Sequence, residues 1–387
     1  MKRIIPLYMR ENFPLKRLLF VSASLLLLFI ASCKKDNNNQ VKPTPVVTDA
    51  TPTKFGLYEA DSSIYKLLYT YVSKIGTQDV SNSDYSLVFD TGSGGFVIDA
   101  NGILPSSMIT STGFNFSGDS TVVDGITIYN QKATIEYGDD ANTTDKVYGN
   151  LAYASVTFGD ENGNIVIKRL PFFLYYKAVD GNNKQFGPHE FDVLGVSPEY
   201  DAAFQNNAYV TSPFSYFDPG TGLTKGFKMA ALGTNNFSLY GNYVPGVVTL
   251  GLTADDLSSN GFVMHQLTFY PGDGYAPVIP VSLTYNNKAA FTTEAIFDTG
   301  TEPYSYIEDP SAAADTALLL PKSSNLSLTS TPGGFNYAYT ISATDNLTYV
   351  ENPSSSKSNV SVISLEFFLN NEYMLDFTDH KLGLKNN

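Results

Sequence analysis

The chain has 387 residues and a formal net charge of −14, from 24 Lys and Arg against 38 Asp and Glu. Apolar residues make up 43%, with 26 Tyr, 26 Phe and no Trp, which is enough for a core larger than one average domain requires. No basic cluster stands in the body of the chain, and this excludes nucleic acid as a partner, because phosphate binding needs a positive footprint.

The chain opens with a leader. Residues 1–32 carry five bases (Lys2, Arg3, Arg10, Lys16 and Arg17), then an apolar run from Leu18 to Ile30, then small residues before Cys33. That is the layout of a secretory signal, and the run is short for a membrane span. The residues "IASC" resemble a bacterial lipobox, and "CKKDNNN" resembles the opening of bacterial lipoproteins. The resemblance implies lipidation at Cys33 and an exported protein anchored to a bacterial membrane, on its outer-membrane, periplasmic or cell-surface side. Cys33 is the only cysteine, so no intrachain disulfide can form.

Residues 33–53 are polar, hold three prolines and show no apolar periodicity, and they predict a flexible tether. From Lys54 onward the pattern is β: short apolar runs broken by Gly, Pro and Asn. The first notable run is "LVFDTGSGGFVI", Leu87 to Ile98. Around "DENGN" the Asn-Gly pair predicts a hairpin rather than a calcium loop, since the full EF-hand spacing is missing. "AIFDTG", Ala295 to Gly300, repeats the earlier turn with an apolar strand before it and a second hydroxyl residue after it. "PSAAADTALLLP", Pro310 to Pro321, predicts the clearest helix, and "NPSSSKS" predicts a polar loop. His189, His265 and His380 are isolated and predict surface or strand positions rather than a zinc site.

The repeated turn is the chemical signal. Two carboxylates, Asp90 and Asp298, brought together cannot both ionise cheaply, so such a pair holds one proton and titrates as a unit. The ionised member can take a proton from water while the protonated member polarises a carbonyl. Gly92 and Gly300 let two loops approach closely. Thr91 and Thr299 can hydrogen-bond across the junction, and Ser93 and Thr301 can donate to the carboxylates. No G-x-S-x-G elbow, H-E-x-x-H motif or phosphate-cradling glycine loop occurs, so no nucleophilic serine, metal or cofactor is expected.

On these residues the chain resembles the pepsin-like aspartic peptidases, bilobal β proteins with one D-T-G-S/T loop per lobe. Residues Ala133 to Gly159 resemble the family's flap hairpin, with Tyr137 and the following Gly138 at the flap tyrosine. "FDVLGVSP", Phe191 to Pro198, resembles the segment packed beneath the first loop, and Phe367 to Leu384 resembles the closing strands. The resemblance implies endopeptidase cleavage by water activated between Asp90 and Asp298, without metal or covalent intermediate.

Departures from the family pattern are visible too. Leu365 stands where a glycine is expected beneath the second loop, Glu302 follows Thr301, Gly94 and Gly95 predict a looser first loop, and Val97 sits near the place of a missing tryptophan.

The expected fold is thus all-β and bilobal with a cleft between the lobes. Residues 1–32 form the leader, 33–53 the lipidated Cys and tether, 54–255 the first lobe and 256–387 the second. The expected partners are a peptide or protein substrate and a membrane through Cys33, for a monomer with no cofactor. Two functions stay open: an aspartic endopeptidase, and a catalytically silent lipoprotein of the same fold that binds peptides or a partner protein.

Overall fold

The computed structural model describes residues 50–387, apart from 63–64, 81–84, 139–143, 234, 259–260, 302, 315 and 357. The leader, Cys33 and most of the expected tether, as well as Glu302, therefore lie outside the described residues. The last tether residues are already attached: the Ala50 N–H donates to the Thr221 carbonyl, and the first strand begins at Thr53.

Two sheets carry the chain. The larger runs, in spatial order, through strands 263–266, 381–386, 371–376, 224–229, 242–252, 53–62, 65–75, 86–90, 193–196, 94–99, 163–179, 145–160, 126–137 and 120–123. The smaller has eight strands, in the order 318–319, 347–351, 304–308, 360–363, 291–297, 279–285, 325–330 and 336–340. The two closing strands, Asn371–Asp376 and Lys381–Asn386, return to the larger sheet, where the former pairs with Thr224–Met229.

The two sheets repeat one motif. In the first, Ser86–Asp90 lies parallel to Val193–Val196, which in turn pairs antiparallel with Gly94–Asp99. In the second, Phe291–Phe297 lies parallel to Val360–Ile363, which pairs antiparallel with Tyr304–Glu308. In each case a later strand is threaded between the two arms of a D-T-G turn. Both threaded strands are buried along their whole length and read as continuous apolar or small runs, "VLGV" and "VSVI". The hairpin strand Ile126–Tyr137 instead alternates between buried and exposed positions, as a strand with one solvated face does.

The hairpin around "DENGN" is present, with Asp160 opposite Gly163. The helix expected over Pro310 to Pro321 is not. The Asp309 carboxylate accepts from the Ser311 N–H and hydroxyl in a local turn, and Leu318–Leu319 pair with Tyr349 and Val350 as an exposed edge strand. A stretch this short between two prolines is marginal as a helix, and the sheet edge recruits its leucines. The expected loop after Asn352 instead holds one helical turn, Pro353–Ser356, capped by the Asn352 side chain.

Candidate active site

The first D-T-G turn leaves a buried strand and the second a half-buried one, and the structure brings the two turns together. Asp90 and Asp298 are 0% and 2% exposed, and their carboxyls lie close enough for each to perturb the other's titration. The approach is close enough to require glycine: a Cβ on Gly92 would lie 2.4 Å from Asp298 Cγ, and one on Gly300 would lie 2.8 Å from Asp90 Cγ.

The turns are locked by a reciprocal pair of threonines. The Thr91 N–H donates to Thr299 Oγ1 at 3.0 Å, and the Thr299 N–H donates to Thr91 Oγ1 at 3.0 Å. Each hydroxyl then donates to the opposite strand, Thr91 Oγ1 to the Phe297 carbonyl at 2.8 Å and Thr299 Oγ1 to the Phe89 carbonyl at 2.7 Å.

The carboxylates are oriented with the same symmetry. Asp90 accepts the Gly92 N–H on Oδ1 at 2.7 Å and the Ser93 hydroxyl on Oδ2 at 2.5 Å. Asp298 accepts the Gly300 N–H on Oδ1 at 2.7 Å and the Thr301 hydroxyl on Oδ2 at 2.6 Å. Burial lifts the pKa of both carboxyls above the ordinary carboxylate value, and the charge of Asp298 raises Asp90 further. Donated hydrogen bonds oppose the rise by favouring the ionised form. A buried pair in mutual contact therefore keeps one proton between its members.

The support beneath the first loop lies where the sequence placed it: Gly195 pairs with Asp90. For the second loop the register corrects the expectation. Phe297 pairs with Ile363, and the Asp298 N–H donates to the Ile363 carbonyl, so Ser364 rather than Leu365 faces Asp298. Leu365 is one step further on, and its N–H donates to the Thr301 carbonyl. Gly94 and Gly95 do not loosen the first loop either. A Cβ on Gly94 would lie 2.2 Å from the Glu199 carbonyl oxygen, because segment 197–201 packs directly against them.

Tyr137 ends the strand leading into the hairpin tip, opposite Asp145, and Gly138 follows with φ +107°. The Tyr137 ring is fully buried, clustered with Val97 and Phe191, and its hydroxyl donates to Asp201 Oδ2 at 2.9 Å. Asp201 was not legible as its partner, since it lies far along the chain in a polar stretch with no motif. Tyr373, another fully buried phenol, stands in the field of Asp298, Asp90 and Glu199.

His189 departs from the expected surface or strand position: it lies in a turn. It is buried, with Nδ1 2.7 Å from Asp192 and Nε2 2.7 Å from the Asn101 carbonyl, behind the strand that supports the first loop. His265 lies in strand Val263–Gln266, and His380 stacks on Tyr275.

A cavity of about 400 Å³ opens beside the pair, with Gly92 and Asp298 in its lining. An acid–base dyad that holds one proton, next to a cavity of side-chain size, has what addition of water to a carbonyl requires.

No protein-family model matches the chain, and no curated protein matches it. Among solved structures it is similar to an aspartic proteinase from Irpex lacteus, with 18% identity and a TM-score of 0.55 over 87% of this chain and 98% of that one. It is also similar to basic 7S globulin from soybean, with 10% identity and a TM-score of 0.51 over 87% of this chain and 95% of that one. At such identities the likeness is one of fold, and only one of the two neighbours is named for proteolysis. The chain has the all-β fold of the pepsin-like aspartic proteinases, with its two D-T-G turns meeting at the centre.

Proposed function

We propose that the protein is an aspartic endopeptidase that cleaves peptide bonds by a water activated between Asp90 and Asp298. The observation that carries the reading is the reciprocal threonine lock with both aspartates intact and symmetrically oriented. A protein that only binds peptides has no need of two buried carboxyls held in this costly arrangement.

The dyad starts with one proton. Its ionised member takes a proton from water as the water oxygen bonds to the scissile carbonyl carbon. Its protonated member gives its proton to the carbonyl oxygen. Collapse of the tetrahedral diol breaks the carbon–nitrogen bond as the protonated member gives its proton to the leaving nitrogen and the ionised member takes one from a diol hydroxyl, so the dyad returns to its single proton. Gly92, Gly300, Ser93 and Thr301 hold the carboxyl planes, while Thr91 and Thr299 hold the loops. In the same reading Tyr137 and Gly138 form the neck of a hairpin that closes over the substrate, and Cys33 anchors the exported, mature chain to a bacterial membrane by its lipid.

The test is digestion of a denatured protein by the full chain, in detergent, across roughly pH 3 to 8, where carboxylate pairs titrate, with and without pepstatin. The expected result is a bell-shaped profile, inhibition by pepstatin and no fragments from Asp90→Asn. Intact substrate at every pH, from a folded protein that still binds peptide, would move the reading to a silent binding protein. Lipidation is checked separately: an alkyne fatty acid should label the chain in cells, and Cys33→Ala should lose the label.

A further inference from the structure

The cavity beside Asp298 has two kinds of lining. Val278, Ile296, Val360 and Val362 are the aliphatic part of the lining, and Glu199, Asp273 and Glu294 are three acidic residues of it. No Lys, Arg or His among the described residues lines it.

These acids are not a run in the sequence. Glu199 comes from the segment packed against the first loop, Asp273 from the hairpin Thr268–Ala276, and Glu294 from the strand that leads into the second loop. Two of them are fixed by main-chain contacts between those segments: the Tyr200 N–H donates to the Asp273 carbonyl at 2.8 Å, and Glu199 bridges to Gly274. The third is fixed by strand periodicity. Glu294, Ile296 and Asp298 all line the cavity, so one face of one strand leads from a carboxylate, past an aliphatic side chain, to the dyad. Four residues of strand span about 13 Å, the reach of one peptide unit and a long side chain.

We infer that this cavity takes the side chain of a substrate lysine or arginine adjacent to the cleaved bond. Its methylene stem lies on the aliphatic wall and its cation lies among Glu199, Asp273 and Glu294. Long basic side chains are built for such a division, with an apolar stem and a charged tip. Glu199 and Glu294 are half-buried, which strengthens their attraction for a cation relative to open water, while Asp273 is exposed. The assignment rests on the endopeptidase reading for its consequence, which is cleavage beside basic residues, and on the cavity alone for its chemistry.

The test separates the two. Full-chain Asp90→Asn is titrated with fluorescent peptides, acetylated at the N-terminus so that no free amine competes, that differ only in lysine against norleucine. The lysine peptide should bind about tenfold tighter or better, and Glu199→Gln with Glu294→Gln should shrink that margin to under about threefold. Comparing two ligands on one folded protein keeps the result independent of whether the double variant folds. Equal affinities, a margin untouched by the double substitution, or no binding of either peptide would overturn the assignment. Wild-type digestion is run alongside. Dyad-dependent cleavage with equal binding sinks only the cavity assignment, whereas a lysine preference without cleavage sinks only the endopeptidase reading.

Discussion

The two D-T-G turns are alike in their hydrogen bonds and unlike in what surrounds them. The first is packed closely from beneath, while its Gly92 still lines the cavity: Gly195 lies under it, where a Cβ would fall 2.7 Å from both the carbonyl oxygen and Oγ of Ser93, and segment 197–201 presses on Gly94. The second borders the open cavity and rests on Ser364, whose N–H is taken by Ser305 Oγ at 3.1 Å and whose hydroxyl accepts from the same atom at 3.3 Å. Chemistry that needs two equivalent carboxyls constrains the hydrogen bonds at both turns. Substrate entry constrains only the faces that border the cavity, so the packing beneath the two turns is free to differ.

The sharpest way to break this comparison is at the carboxyls themselves. Asp90→Asn and Asp298→Asn should each lower kcat by about 10³-fold or more, since either change removes the shared-proton chemistry. Circular dichroism and the melting temperature should stay close to wild type, because asparagine keeps the size of the group. Substantial activity left in either variant would mean that the two carboxyls do not act as one dyad.

The supports should respond very differently. Gly195→Ala forces a methyl into the Ser93 main chain and should cost about 1–3 kcal/mol of stability, with a fall in kcat as the first loop shifts. Ser364→Ala removes one neutral hydrogen bond and should cost about 1 kcal/mol or less. Denaturant titration of both variants reads the difference. Equal costs would show that the first turn is no more tightly packed than the second.

Tyr137→Phe probes the first turn's side a little further out. It removes the hydroxyl that donates to Asp201 Oδ2, at an expected cost of about 1 kcal/mol. A rise in KM with little change in kcat would fit a role in holding substrate. An unchanged KM with the same stability loss would reduce Tyr137 to a core residue.

How much of this could be read from the chain depends on how local each feature is. The D-T-G turns, the Asn-Gly hairpin and the apolar-apolar-Gly strand at Val193–Gly195 are set by a few adjacent residues, and all were legible. The second support was misread by one position, because only pairing register separates Ser364 from Leu365 and no local signal sets register in a buried strand. Asp201, Glu199 and Asp273 were not legible at all. Each is an ordinary acid in an irregular stretch, and each acquires its place from segments distant in sequence. The run from Pro310 to Pro321 was misread because composition favoured a helix while a free sheet edge lay within reach of Leu318 and Leu319.

A pH-dependent effect is expected at the neck of the hairpin, across from Tyr137. Asp145 is buried there, and its Oδ2 has no hydrogen-bond partner among the described residues. Burial first, then the charge of Asp180, push its carboxyl up from 3.8 to about 7, against a donated Gly181 N–H. Because the folded state holds this proton more tightly than the unfolded chain does, the contribution to stability is fully present below about pH 4. It is lost progressively as the pH rises toward 7, where the buried carboxylate must ionise. Melting temperatures of wild type and Asp145→Asn between pH 4 and 8 check the sign: the wild-type curve should fall relative to the variant across that window. A difference that does not change with pH would mean that Asp145 is solvated as an ordinary carboxylate. A fall that also tracks peptide affinity would tie the hairpin neck to substrate binding.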